Sequence, residues 1–166
     1  MLIIRHASNK DLSALAEIER ICFPASEAAD LKKLTTRFTV FPRHFLVAEL
    51  NSRIIGFING MVTDKKTIED IMFDDATLHN PQGKYQSVFG LDVLPKYQHH
   101  GFAAELMKAF IRQAEQEKRR GVILTCKKHL LSYYEKFGYV NSGISASTHG
   151  GSVWYDMILK FDKNNI

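Results

Sequence analysis

Gln98, Gly101 and Ala103 form the pattern Q-x-x-G-x-A within residues 91–104, LDVLPKYQHHGFAA. The stretch reads as a strand end, a stop at Pro95, a polar loop with one glycine, and the start of an amphipathic helix. A loop of small residues opening a helix offers several unpaired backbone N–H groups and the positive end of the helix dipole. That arrangement takes a phosphate without charged side chains. Gly101 has no Cβ to collide with a phosphate, and Ala103 keeps the next contact small. At ordinary residue frequencies the hexapeptide alone arises in roughly one chain in several of this size. Context gives it weight: an apolar strand at residues 87–94 precedes it, a periodic helix follows, and Tyr133-Tyr-Glu-Lys-Phe-Gly-Tyr139 lies downstream. No G-x-G-x-x-G follows a strand, so a dinucleotide-binding reading fits poorly.

The elements that must position these residues follow from periodicity and punctuation. Residues 2–6 predict a first strand. Ser8 with Asp11 predicts a capped helix start, and Leu12, Leu15, Ala16 and Cys22 recur on one helical face before Pro24. Residues 31–38 predict a second helix. Strands at 44–50 and 54–61 are joined by a hairpin turn at Asn51-Ser52-Arg53. Residues 65–83 form a polar connection with room for a short helix. The central strand, 87–94, leads to a helix at 102–117 that Gly121 is expected to end, then a buried strand at 122–126. A helix at 129–137 is closed by Gly138, and strands at 140–144 and 152–161 complete the chain. The order predicts an α/β (mixed α+β) fold: a central mixed sheet of about six or seven strands with helices on both faces. Residues 87–126 form a strand–helix–strand unit, hence a parallel crossover.

Composition sets the bounds. The 166 residues, 45% hydrophobic and 24% charged, predict one domain, residues 1–166, with a sizeable core. No apolar run approaches the roughly 20 residues of a membrane span, and no signal peptide is visible, so no membrane partner and a cytoplasmic location are expected. Cys22 and Cys126 fit a reducing compartment, and neither cysteine nor histidine spacing predicts a metal site. The formal charge of +4 is scattered, with its densest run, Lys118-Arg119-Arg120, at a helix end. No nucleic-acid partner is expected, and mild positive charge suits a polyanionic cofactor.

These residues carry a family resemblance. The segment from Leu91 to Ala103 resembles the acyl-CoA binding motif of the GNAT superfamily of N-acetyltransferases, and Tyr133 to Tyr139 resembles its later Y-x-x-x-G-[FY] motif. The element order matches that fold over essentially the whole chain. A closer similarity, to the arylalkylamine (serotonin) N-acetyltransferase branch, rests on Ile18-Glu-Arg20 with Phe23, Ala76-Thr-Leu-His79, and Leu124-Thr-Cys126 leading into Phe137-Gly-Tyr139. The animal enzymes of that branch carry H-x-H on the central strand. Ser87 and Phe89 stand at those positions here, so neither substrate nor base is inherited.

The resemblance implies acetyl transfer from acetyl-CoA, as co-substrate, to a primary amine by direct attack in a ternary complex. The acceptor class it implies is a small (aryl)alkylamine or polyamine-like compound. It places the CoA against Leu91, Asp92, Val93, Gln98, His99, His100, Gly101, Phe102, Ala103, Ala104 and Tyr134, between splayed parallel strands at 87–94 and 122–126. The Val93 N–H would meet the acetyl carbonyl, where a donor stabilises the developing oxyanion. Tyr134 matches the family's general acid, a phenol that stays protonated at neutral pH and can donate to the leaving thiolate. Ser87 is expected to hold a water if strand alternation keeps Ser87, Phe89 and Leu91 on one face. His79, Asp74 and Asp75 can reach a site from their loop, and Glu27 and Asp30 can attract an ammonium; each also reads as a solvated surface residue. Cys126 reads as strand packing rather than as a nucleophile. Alternatives remain open: acetylation of a protein N-terminus or lysine, favoured by a long groove beside Ser87, or a non-catalytic acyl-CoA-binding module. A closed pocket lined by Phe38, Phe41 or Phe89 favours small amines. The resemblance also allows a homodimer through the last strands.

Overall fold

A computed structural model describes residues 1–161. In chain order the elements are β1 (Leu2–His6), α1 (Leu12–Cys22), α2 (Leu31–Val40), β2 (Phe45–Leu50), β3 (Arg53–Asn59), β4 (Val62–Thr63) and α3 (Asp70–Asp74). They continue as β5 (Tyr85–Val88), β6 (Gly90–Val93), α4 (Phe102–Gln116), β7 (Gly121–Cys126), α5 (Leu131–Glu135), β8 (Val140–Ile144) and β9 (Tyr155–Lys160). The chain divides into two compact units.

The first unit comprises Met1–Gly60 and Gly90–Phe110. Its sheet runs β1-β2-β3-β6, antiparallel throughout. Asn51 and Ser52 both have positive φ, as the two-residue turn between β2 and β3 requires. The Ser8–Asp11 capping box forms: the Ser8 N–H donates to Asp11 Oδ2 at 2.7 Å. It caps a 3-10 turn, Asn9–Asp11, that leads into α1. Arg5 binds Asp11 at 2.8 Å and Glu49 at 3.2 Å, tying β1 to the turn and to β2. Leu15, Leu34, Phe41, Phe45, Phe57 and Ile58 are buried. Phe41 stacks on Phe45 at 5.8 Å and Phe38 meets it edge-on at 5.5 Å, so Phe41 fills core rather than lining a pocket.

The second unit comprises Met61–Phe89 and the chain from Ile111 onward. Its sheet runs β4-β5-β7-β9-β8, and only the β5–β7 pair is parallel. That pairing is the one expected of the strand–helix–strand unit. Among the described residues nine strands therefore form sheets of four and five, where the sequence predicts one central sheet. The reason lies at Phe89. Val88 is the last residue of β5 in register with β7, Gly90 is the first of β6 in register with β3, and Phe89 joins neither ladder. The predicted strand at 87–94 is thus two strands in different sheets, and the single-face alternation of Ser87, Phe89 and Leu91 is interrupted.

Gly121 does not end α4. Lys118 takes the left-handed position at φ 62°, with Arg119 N–H donating to Ala114 O and Lys118 N–H to Glu115 O, a Schellman ending. Gly121 opens β7 instead, where a Cβ would lie 2.2 Å from the Leu159 carbonyl oxygen of β9.

Candidate acyl-CoA site

The polar edge of β6 begins the site. The Leu94 N–H donates to Ile55 O at 2.9 Å, which fixes the phase of the β3–β6 ladder. Antiparallel pairs alternate between bonded and non-bonded positions. Asp92 and Gly90 therefore bond toward β3, and Leu91 and Val93 turn their backbone groups away from it. Since β6 is the last strand of its sheet, the N–H groups of Leu91 and Val93 face the sheet's open edge. The Val93 carbonyl is occupied: Gln98 Nε2 donates to it at 2.9 Å and the Cys22 thiol at 3.4 Å. Gln98 thus ties the loop to the strand edge through one donor of its side-chain amide.

The loop itself is shaped for backbone donation. His99 has φ 65° and Gly101 φ 83°, and no atom lies within 4 Å of where a Gly101 Cβ would point. The Glu105 N–H is the first in α4 to close a helical bond, onto Gly101 O, so the N–H groups of Phe102, Ala103 and Ala104 precede the helical ladder. Residues 98 to 101 are exposed and Phe102, Ala103 and Ala104 are half-buried. His100 donates from Nδ1 to Gln98 O at 2.7 Å, since a carbonyl only accepts, and stacks on Phe102 at 5.8 Å.

Asp92 lies apart from the loop residues. Its carboxyl is fully buried in the first unit, among Glu19 and Cys22 of α1, Arg37 of α2 and Asn59 of β3. It does not face a CoA. Burial, then the neighbouring Glu19 charge, push it well above the carboxylate range, with Arg37 pulling the other way.

In the second unit, Tyr134 sits half-buried on α5, 5.2 Å from the Tyr133 ring and 6.0 Å from Tyr139. Tyr133 packs edge-on against Phe137 at 5.4 Å, and burial raises its pKa. Ser87 is fully buried, and both its N–H and its hydroxyl donate to Met61 O, at 2.9 and 2.7 Å. Its one hydroxyl proton is therefore committed, and only its lone pairs can meet a water. His79 accepts the Val62 N–H on Nδ1 at 3.0 Å, Asp75 caps Thr77, and Asp30 caps α2 through the Lys33 N–H. These side chains hold their own loops in place. Cys126 is buried beside Met157, and burial pushes its thiol up to about 11, unsuited to a nucleophile. Among the described residues no cluster of His, Cys, Asp or Glu fits a metal, and no helix is long and apolar enough to cross a membrane.

The profile of the acetyltransferase (GNAT) family matches residues 12–139. The chain belongs to that family. The GNAT resemblance is thereby confirmed at the level of the family, and the chain is classed with acyl-CoA-dependent N-acetyltransferases. Among curated relatives, serotonin N-acetyltransferase of Mesocricetus auratus is 26% identical over 152 residues, covering 89% of this chain and 72% of that protein. A Bacillus subtilis protein named probable hydrolase YhcX is 26% identical over 132 residues; the match covers 74% of this chain but only 25% of that protein. Among solved structures, the GphF GNAT-like decarboxylase in complex with isobutyryl-CoA superposes with a TM-score of 0.82 at 21% identity, covering 95% of this chain and 98% of that one. The GNAT fold is shared; the branch within the family is not fixed by matches at this level.

One group of this GNAT chain has no counterpart in the sequence reading. Residues 145–154 carry His149 and Trp154 in the second unit. Asp70 of α3 accepts from the Ser147 hydroxyl and from the Thr148 N–H at 3.1 Å, anchoring the segment. His149 stacks on Phe73 at 4.8 Å, Phe73 packs on Phe89 at 5.0 Å, and Trp154 donates to His149 O at 2.8 Å. Lys127 lies 5.5 Å over the Trp154 ring. The pair Gly150-Gly151, both at positive φ, was the available signal of a shaped loop.

Proposed function

We propose that residues 1–166 act as one N-acetyltransferase domain that moves the acetyl group of acetyl-CoA to a primary amine by direct attack. The observation that carries this reading is the open edge of β6, with the N–H groups of Leu91 and Val93 turned outward, followed in the chain by a loop whose Gly101 has open space where a Cβ would stand. The pantetheine amides pair along that edge as an added strand would. The pyrophosphate takes the free N–H groups at the start of α4. The acetyl oxygen takes an edge N–H, which holds the oxyanion as the amine adds.

Tyr134 gives its phenolic proton to the departing thiolate. Ser87 in this reading supports its strand, because its hydroxyl proton already serves Met61. We assign the acceptor to small amines with an apolar or aromatic body. The ring group Phe73, Phe89, His149 and Trp154 supports this, as does similarity to a serotonin N-acetyltransferase. A homodimer through the last strands is kept as part of the proposal, since β8 is a sheet edge with Val140 and Ile144 exposed. Sedimentation equilibrium checks it.

The decisive experiment is a screen of primary amines with thiol release as readout, alongside calorimetric binding of acetyl-CoA. Acetyl-CoA binding with turnover of an arylalkylamine or polyamine is expected. Absence of acyl-CoA binding overturns the reading. Tyr134→Phe should cut kcat roughly 10²-fold or more while leaving acetyl-CoA affinity unchanged; unchanged turnover removes Tyr134 from the role of acid.

A further inference from the structure

In the second unit the link from β8 to β9 runs from residue 145 to residue 154, long for a hairpin connection. It is held from outside itself, by α3. Asp70 accepts the Ser147 hydroxyl on Oδ1 and the Thr148 N–H on Oδ2 at 3.1 Å, so both carboxylate oxygens serve the link. The Ser147 oxygen, its proton given to Asp70, accepts the His149 N–H at 3.2 Å. The His149 carbonyl takes the Trp154 indole N–H at 2.8 Å. The Ser145 N–H donates to Trp154 O at 2.8 Å and the Gly151 N–H to Thr148 O at 2.8 Å, which closes the link on itself.

The same helix holds the ring. Asp70 and Phe73 stand three apart on α3 and so share one side of it. Phe73 stacks on His149 at 4.8 Å, with 25° between the ring planes. Asp70 therefore fixes the His149 backbone through Ser147, while Phe73 fixes its imidazole. Trp154 follows, its ring centre 6.2 Å from that of His149. These contacts add nothing to either sheet: α3 lies in the connection between β4 and β5, and neither α3 nor the link joins a ladder. Solvent reaches the group. His149 and Trp154 are half-buried, and Thr148, Gly150, Gly151 and Val153 beside them in the chain are exposed. Residues 69–75 carry four carboxylates and no basic side chain, the sign that draws an ammonium.

We propose that Asp70 is a positioning residue for the acceptor: by latching residues 147–149 to α3, it holds His149 and Trp154 as a platform for the acceptor's ring. This rests on the N-acetyltransferase reading, with the ring group as the acceptor's seat. The latch then sets selectivity. An arylalkylamine lays its ring on aromatic faces whose spacing the latch fixes. A linear polyamine has no ring to place and gains nothing from it. Asp70 acts through Ser147 and the His149 backbone and touches neither acceptor nor acetyl-CoA. A carboxylate suits the task because a hydroxyl and an N–H both donate to it. An amide at the same position accepts on one atom only, so Asn serves half of the latch.

Trp154 is the chain's one tryptophan, so its fluorescence reports the ring group directly. Phenethylamine, which carries a ring, and putrescine, which carries none, are the probes. Asp70→Ala and Ser147→Ala, each checked for folding by thermal unfolding, should shift Trp154 emission to the red as the indole gains water. Both should raise the KM for phenethylamine roughly tenfold, with kcat, acetyl-CoA affinity and the KM for putrescine level. Asp70→Asn keeps the native shape and should fall between; it serves where an alanine variant does not fold. The double variant should be no worse than Asp70→Ala alone, since both changes cut one chain of bonds. Folded variants whose phenethylamine KM stays within about twofold of native, or whose losses add, overturn the latch. So does a loss shared equally by putrescine, which marks a merely structural role. A native protein that acetylates putrescine and gives no Trp154 response to phenethylamine overturns this proposal alone. One that acetylates no amine overturns the reading beneath it as well.

Discussion

Asp11 and Asp92 are both buried aspartates of the first unit, and their surroundings push them in opposite directions. Arg5, bonded at 2.8 Å, and the Ser8 groups hold Asp11 down to about 2. A lowered folded-state pKa gives stability that is full above the unfolded value and is lost as pH falls through the folded one. The Asp11 contribution, up to about 2 kcal/mol, should therefore disappear between about pH 4 and pH 2. Chemical unfolding of Asp11→Asn should show that acid-side slope flattened. For Asp92 the sign reverses. The folded carboxyl holds a proton that the unfolded chain releases above about pH 4, so native stability falls with rising pH by up to about 1.4 kcal/mol per unit. Asp92→Asn should remove that slope and gain relative stability at mildly alkaline pH; an unchanged slope would show Asp92 ionised. The Ser8–Asp11 partnership spans three residues and is legible in sequence. The Glu19–Asp92 partnership joins a helix to a strand far along the chain and is not. A trace of it exists, since Glu19 falls on the same helical face as Leu12, Leu15 and Cys22, where an acid needs a reason.

At the scale of elements, the two ends of α4 carry separate expectations. Its C-terminal turn asks Lys118 for a left-handed backbone that glycine adopts freely. Lys118→Gly should raise stability by about 0.5–1 kcal/mol in thermal unfolding, with no change in activity. At the N-terminal end, Gly101→Val meets no steric neighbour, yet strains a backbone at φ 83° and projects a branched side chain where a phosphate would approach. Calorimetry should find acetyl-CoA affinity reduced by roughly tenfold or more; retained affinity would remove this loop from the phosphate site. Local signals were sufficient for β1, the β2–β3 hairpin, α4 and the Gly138 turn, each written in periodicity or turn chemistry. The division at Phe89 was not readable. Gly90 was the one mark beside the break, and a lone glycine inside a strand pattern reads as readily as a bulge as a change of partner.

At the scale of the whole chain, a formal charge of +4 should favour a polyanionic co-substrate through long-range attraction. The KM for acetyl-CoA should rise with added salt as the screening length shortens from about 30 Å at 0.01 M to about 10 Å at 0.1 M, while kcat stays level. The family and fold class were open to the sequence because two motifs and an element order agree. The ring group around His149 was hidden because three distant segments supply it. The placement of the two thiols gives each compact unit its own spectroscopic label. Cys22 donates to Val93 O in one unit, and Cys126 lies against Met157 Sδ in the other. The S–H stretch falls in an uncrowded region of the infrared and responds to the acceptor. An acyl-CoA docking on the β6 edge should shift the Cys22 band and leave the Cys126 band in place, and staged unfolding would be read as one band moving before the other.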